Sequence, residues 1–198
     1  MLVLAHGAGA GMAHPFMAAV AEGLAARAVA TLRYQFPYME RGSRRPDSPR
    51  VAQAAVRSAV EEAARRLPGV ALFAGGKSFG GRMTSQAQAA EPLPDVRGLV
   101  FVGLPLHPAS KPGIERAAHL AKVDVPMLFL QGTRDALAEI GLVRDVVAGL
   151  GSRATLHAVH EADHSFQVLV RSGRTNTEVL EELANEISRW TASRSIGI

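Results

Sequence analysis

A serine hydroxyl becomes a useful nucleophile only when a base accepts its proton and an acid orients that base. Three segments of this chain carry those residue types in a fitting order. Gly76-Lys77-Ser78-Phe79-Gly80 reads G-x-S-x-G and lies between an apolar run and a helical stripe through Met83, Ala87 and Ala90. In that setting the motif is a nucleophile elbow. The turn is so tight that no Cβ fits two residues before or after the serine, and Gly76 and Gly80 meet that demand, with Gly81 adding room. Ser78 is therefore expected on strained backbone at the positive end of a helix. Downstream, Asp135 follows the run at residues 125–130 and His164 follows the run at residues 154–159. This is the order Ser, Asp, His expected of such an elbow. Asp135 could also be a helix N-cap before Ala136, or serve in both roles. Glu161 and Asp163 are rival acids, but each lies too close to His164 in sequence to orient it easily, and both read as solvated loop charges. An oxyanion formed at Ser78 needs two N–H donors. Phe79 offers one, and the small-residue turn at residues 6–11 offers the other, assigned to Ala8 with Gly9 as the near alternative. His6 is expected to brace that turn by a hydrogen bond.

These parts need a scaffold that brings their turns together. Short apolar runs at residues 2–5, 29–34, 70–74, 96–104, 125–130 and 154–159 read as buried strands. Amphipathic stretches alternate with them: a helix opened by Pro15, a face through Val56, Val60 and Ala63, a short helix near Ala117, a stripe from Ile140 to Leu150, and a closing helix through Leu180, Leu183, Ile187 and Trp190. Residues 36–50 read as a loop. Six strands alternating with helices predict an α/β fold with a mostly parallel sheet, helices on both faces and every strand-to-helix turn at one edge. One domain over residues 1–198 is expected. Six such units use most of the 198 residues, so no cap domain is expected and the site should be open and favour short acyl groups.

Composition narrows the remaining classes. Hydrophobic residues make up 47% and charged residues 20%, ordinary for a globular chain and unlike a disordered one. There is no cysteine, which excludes disulfides, thiol catalysis and thiolate metal sites. The isoelectric point near 10.1 suggests nucleic acid, but the basic residues are scattered. Their one cluster, Arg41, Arg44, Arg45 and Arg50, is diluted by Glu40 and Asp47. No nucleic-acid partner is expected. No apolar window approaches a membrane span and no signal-peptide pattern opens the chain, so a cytoplasmic protein is expected, monomeric or homodimeric, acting on a small acyl substrate.

Two glycine motifs fail on spacing. Gly76-Lys77-Ser78 would need glycine at position 71 to end a phosphate-binding loop, and the chain has Ala71 there. The Gly7-to-Gly11 run lacks the third glycine of a dinucleotide fingerprint. His157 and His160, three apart on a strand, face opposite sides and cannot chelate one metal together. No metal or other cofactor is expected.

Leu4-Ala5-His6-Gly7-Ala8-Gly9, Phe36-Pro37-Tyr38-Met39-Glu40, Gly75-Gly76-Lys77-Ser78-Phe79-Gly80-Gly81-Arg82, Gln131-Gly132-Thr133-Arg134-Asp135 and Ala162-Asp163-His164-Ser165-Phe166 together resemble the small α/β-hydrolase family. The closest branch resembles lidless bacterial proteins related to dienelactone hydrolases and to the testis-expressed and NSL-complex hydrolase-like proteins. The resemblance covers nearly the whole chain. It implies a sheet with the strands at residues 2–5 and 70–74 at its centre, a first strand that matches the family's third, and Ser78, Asp135 and His164 as a triad. It also implies that Tyr38 and Glu40 wall the pocket. The expected activity is hydrolysis of a small carboxylic ester or related acyl compound through an acyl-enzyme. The alternative is a non-catalytic protein-interaction module built on the same frame. Retention of all three triad residue types speaks for the enzyme.

Overall fold

Apolar side chains occupy both faces of the inner strands, so the sheet must be covered on both sides. In the computed structural model, which describes residues 1–195, six strands form one sheet: β1 (Leu2–Ala5), β2 (Thr31–Tyr34), β3 (Leu72–Lys77), β4 (Val96–Val102), β5 (Met127–Gly132) and β6 (Ala154–Val159). Their order is β2-β1-β3-β4-β5-β6 and every neighbouring pair is parallel. Successive residues of a strand enter opposite cores. Val3, Leu99, Phe101, Met127 and Phe129 pack on one face, whereas Leu2, Val100, Val102, Leu128 and Leu130 pack on the other.

The first face is covered by α3 (Pro49–Arg66), α4 (Phe79–Ala90), a 3-10 helix at Glu115–Lys122, and α5 (Ile140–Leu150). The second is covered by α1 (Pro15–Ala25) and α6 (Asn176–Ser195) through Met17, Val20, Leu24, Leu183, Ile187 and Trp190. Pro15 opens α1 as expected, and the His14 Nδ1 accepts the Phe16 N–H at 3.2 Å. A four-residue helix, α2 (Pro37–Glu40), completes the helices. Among the described residues, no cap domain stands over the sheet edge and no helix is long and apolar enough to cross a membrane.

Three expectations need correction. The strand at residues 2–5 is one place from the edge, because only β2 lies beyond it, and the centre is held by β3 and β4. Gly75 and Gly76 belong to β3, not to the turn after it. A Cβ on Gly75 would lie 1.9 Å from the Val100 carbonyl oxygen and one on Gly76 would lie 2.5 Å from that of Ala5. They are glycines because β4 and β1 press against them. Residues 36–50 are not all loop, since they contain α2 and the start of α3.

The chain reverses its direction of travel across the sheet at β1, with β2 on one side and β3 on the other. Ligands of open α/β sheets gather at such a switch point, outside the carboxyl ends of the strands. Ala5 pairs with Gly76 there, which sets the turns after β1 and β3 side by side.

Candidate active site

Ser78 sits between β3 and α4 with φ +50° and ψ −113°, a conformation that costs a non-glycine residue energy. The surroundings hold it. Its N–H donates to the Val102 carbonyl at 3.1 Å, and its carbonyl accepts from Arg82 in the first turn of α4. A Cβ on Gly80 would lie 2.6 Å from the His6 carbonyl oxygen, and one on Gly81 would lie 2.7 Å from that of Gly76. The expected glycine requirement is thus a matter of backbone against backbone.

The turns after β5 and β6 are fastened to each other. Arg134 N–H donates to the Ala162 carbonyl at 2.9 Å, and Glu161 N–H donates to Thr133 Oγ1 at 2.9 Å. Gly132 leaves room for this, since a Cβ there would lie 2.3 Å from the Ala162 carbonyl oxygen. The result brings Asp135, His164 and Ser78 together. His164 Nδ1 lies 2.7 Å from Asp135 Oδ2, and its Nε2 lies 2.9 Å from Ser78 Oγ.

The Asp135 side chain is fully buried. Its Oδ2 also accepts from Gln131 Nε2 at 2.6 Å, and its Oδ1 accepts the Leu137 N–H at 2.8 Å. It therefore faces the imidazole and caps a turn, but it is not the helix N-cap expected of it, because α5 begins only at Ile140 with Glu139 as its N-cap. A carboxylate accepting from Nδ1–H leaves Nε2 as the acceptor facing the serine, the arrangement that lets an imidazole take a hydroxyl proton. Asp163 is not a loosely solvated charge. Its Oδ1 accepts the N–H groups of Ser165 and Gln167 at 2.8 and 2.9 Å and shapes the turn that carries His164.

At the turn after β1, the Gly9 N–H donates to the Tyr38 hydroxyl at 2.9 Å. That contact occupies the alternative oxyanion donor. Among the described residues, the N–H groups of Ala8 and Phe79 have no protein partner, so both remain available to a ligand. His6 braces the turn as expected. It is buried, its Nδ1 lies 2.8 Å from the Gly7 carbonyl oxygen, and its Nε2 accepts the Phe36 N–H at 3.1 Å. Burial pushes its pKa down, which keeps the ring neutral and fit for that acceptor role.

A model of the alpha/beta hydrolase domain matches residues 1–192. The chain belongs to that family. An alpha-beta serine hydrolase homologue from Coxiella burnetii is similar in structure, with 19% identity and a TM-score of 0.74 over 94% of this chain and 85% of that one. So is an α/β serine hydrolase without a lid from Xanthomonas campestris, at 20% identity and a TM-score of 0.71 over 96% and 82% of the two chains. Est1E from Butyrivibrio proteoclasticus, solved with ferulic acid bound, reaches a TM-score of 0.64 at 17% identity over 93% and 88%. At these identities the likeness is one of fold.

In this α/β-hydrolase domain a cleft of about 360 Å³ opens beside Ser78 and His164. Ala8, Ala10, Phe16, Met17 and Leu137 make its apolar walls, and Lys77 is the one Lys or Arg among its lining residues. Neither Tyr38 nor Glu40 lines it. Tyr38 is fully buried behind Gly9, and Glu40 is exposed. His107 holds the Leu137 turn, its Nε2 accepting the Glu139 N–H at 3.4 Å. His157 pairs with Glu182 at 2.6 Å on the α6 side. Sequence reasoning passed over Gln131 and Lys77. The signal for Gln131 was a lone polar residue in an apolar strand, and for Lys77 a lysine at a strand end between glycine and serine.

Proposed function

We propose that this chain is a serine hydrolase that cleaves small carboxylic esters or related acyl compounds through an acyl-enzyme. The observation that carries this reading is the continuous contact from Ser78 Oγ through His164 to the buried Asp135 carboxylate, at 2.9 and 2.7 Å. Ser78 attacks the substrate carbonyl while His164 Nε2 takes its proton, and Asp135 holds the tautomer and stabilises the imidazolium that forms. The tetrahedral oxyanion is received by the N–H groups of Ala8 and Phe79, the latter at the N-terminus of α4. His164 then returns the proton to the leaving alcohol, and water repeats the sequence on the acyl-enzyme. Intact geometry at all three residues favours this over a non-catalytic interaction module. The serine hydrolase homologue and the ferulic acid complex among the structural relatives support the acyl-ester class.

The lidless relative and the 360 Å³ cleft support small substrates. In an apolar tunnel each added methylene is worth about 0.8 kcal/mol, or roughly fourfold in kcat/KM. Here the gain is expected to stop after a few carbons. A fluorophosphonate probe should form one adduct on the protein, lost in Ser78→Ala, and a p-nitrophenyl ester series should show kcat/KM levelling off early. A folded sample that takes no label, or takes it at another serine, refutes the enzyme reading. A steady climb to long chains refutes the substrate class.

A further inference from the structure

Lys77 is a partly buried titratable group that the reaction above does not use. It ends β3 directly before Ser78, and its ammonium donates to the His164 carbonyl at 2.6 Å, 5.6 Å from the centroid of the Phe166 ring. Gly103, at the end of β4 with φ +70°, makes the space. A Cβ there would lie 3.2 Å from Nζ and 3.6 Å from the His164 carbonyl oxygen. The charged groups facing it are Asp135, from the turn after β5, and Asp163, from the turn after β6. Burial pushes the ammonium down to about 8, with Asp135 and then Asp163 opposing the shift. With His164 neutral, the hydrogen-bond donors on Asp135 are all uncharged: Gln131, Leu137 and the imidazole N–H. The Lys77 charge then acts favourably on this buried carboxylate, without a direct ion pair between them.

We propose that Lys77 is a positioning residue whose ammonium holds the His164 turn against the sheet edge through the His164 carbonyl and balances the Asp135 charge. The inference rests on the serine hydrolase reading. An ammonium-to-carbonyl bond is stronger than its amine counterpart, so the hold weakens when Lys77 loses its proton. Burying the charge costs the fold stability, which sets this role apart from simple packing.

The test compares wild type with Lys77→Met, which removes the charge, and Lys77→Arg, which keeps a charge that does not titrate. Fluorophosphonate labelling rates and kcat/KM for a short ester are measured from about pH 6 to about pH 10, with melting temperatures alongside. Folded wild type that takes no label removes the hydrolase reading itself. With labelling established, wild-type rates should fall about fivefold to tenfold as pH rises through ~8. Lys77→Met should be slower by at least that factor, without the alkaline fall, and Lys77→Arg should recover most of the neutral-pH rate.

Below pH ~8 the folded protein holds a proton at a cost; between ~8 and ~10.5 it has released that proton while the unfolded chain keeps it, so wild-type stability rises with pH. Lys77→Met should therefore melt above wild type near neutrality, with the gap closing in alkali. Unchanged rates and an intact alkaline fall in Lys77→Met overturn the proposal. So do parallel losses of rate and melting temperature that Lys77→Arg does not rescue. If Lys77→Met does not fold, a wild-type profile that stays flat through pH ~8 overturns it, and a fall abolished by Lys77→Arg sustains it.

Discussion

Replacing Asp135 by asparagine changes one atom that matters and leaves its neighbours able to adapt. The Leu137 N–H donates to Oδ1 at 2.8 Å, so the asparagine carbonyl must stay there and its NH₂ must replace Oδ2. That NH₂ then faces two donors, Gln131 Nε2 at 2.6 Å and His164 Nδ1 at 2.7 Å. Gln131 can answer by rotating its amide, because its Oε1 is buried without a partner. His164 answers by moving its proton to Nε2, where it blocks rather than accepts the Ser78 proton. Fold stability should change by less than about 1 kcal/mol, a shift of no more than about 4 °C in Tm. Turnover should fall by about 10⁴, equivalent to about 5 kcal/mol of transition-state stabilisation. Steady-state ester hydrolysis and thermal unfolding on the same preparation measure both. Asp163→Asn is the control. Its carbonyl still accepts from Ser165 and Gln167, so kcat should drop by no more than about fivefold, the worth of one weakened charge-assisted bond. A variant at 135 that keeps a tenth of wild-type kcat, or a larger loss at 163, means that another acid orients His164.

Three further substitutions probe the frame. Tyr38→Phe removes the acceptor of the Gly9 N–H, which should cost about 1–3 kcal/mol in urea unfolding and lower kcat about tenfold by loosening the turn that carries Ala8; unchanged kcat would free the oxyanion turn from this contact. Gly80→Ala should lose about 1–3 kcal/mol or more by driving a methyl into the His6 carbonyl, whereas Gly149→Ala in α5, with nothing within 4 Å of the new carbon, should gain up to about 1 kcal/mol. Equal effects at the two positions would mean that packing does not explain the elbow glycines.

Gly76, Ser78 and Gly80 were legible in the sequence because their requirement is local: a strand, a tight turn and a helix in immediate succession admit few residue types. Asp135 and His164 followed from chain order, since successive parallel strands deliver successive turns to one edge. Tyr38 was not legible in the same way. Its role depends on α2 folding back so that a residue 29 positions from Gly9 meets it, with the Tyr38 N–H held by Asp47 at 2.8 Å. The ends of β3 and β5 were misjudged by two or three residues for one reason. Glycine reads as a turn former, yet Gly75, Gly76 and Gly132 are strand residues where neighbouring backbone leaves no space for a side chain. Lys77 was hidden by its motif, because it stands at a variable position of the G-x-S-x-G elbow that calls for no particular side chain.

The site owes its order less to the sheet than to bonds between turns. Gly9 is tied to Tyr38, Arg134 to Ala162, Glu161 to Thr133, and Lys77 to the carbonyl of His164. Each bond joins segments that are distant in sequence and hang from different strands. A displacement of the His164 turn would therefore strain its contacts with both the β3 and β5 ends, where Ser78 and Asp135 reside. The unfavourable φ of Ser78 is tolerated for the same reason: its N–H and carbonyl are bonded to β4 and α4, and glycine contacts close the space around it. Holding reacting groups this way moves the entropy of alignment from the reaction into folding, where the two apolar cores of the sheet supply the driving force. If the cleft grips little of a small substrate, as proposed, few other sources of rate remain. For the proposed hydrolase, rigidity of the turns is then what substrate burial would provide in a lidded relative.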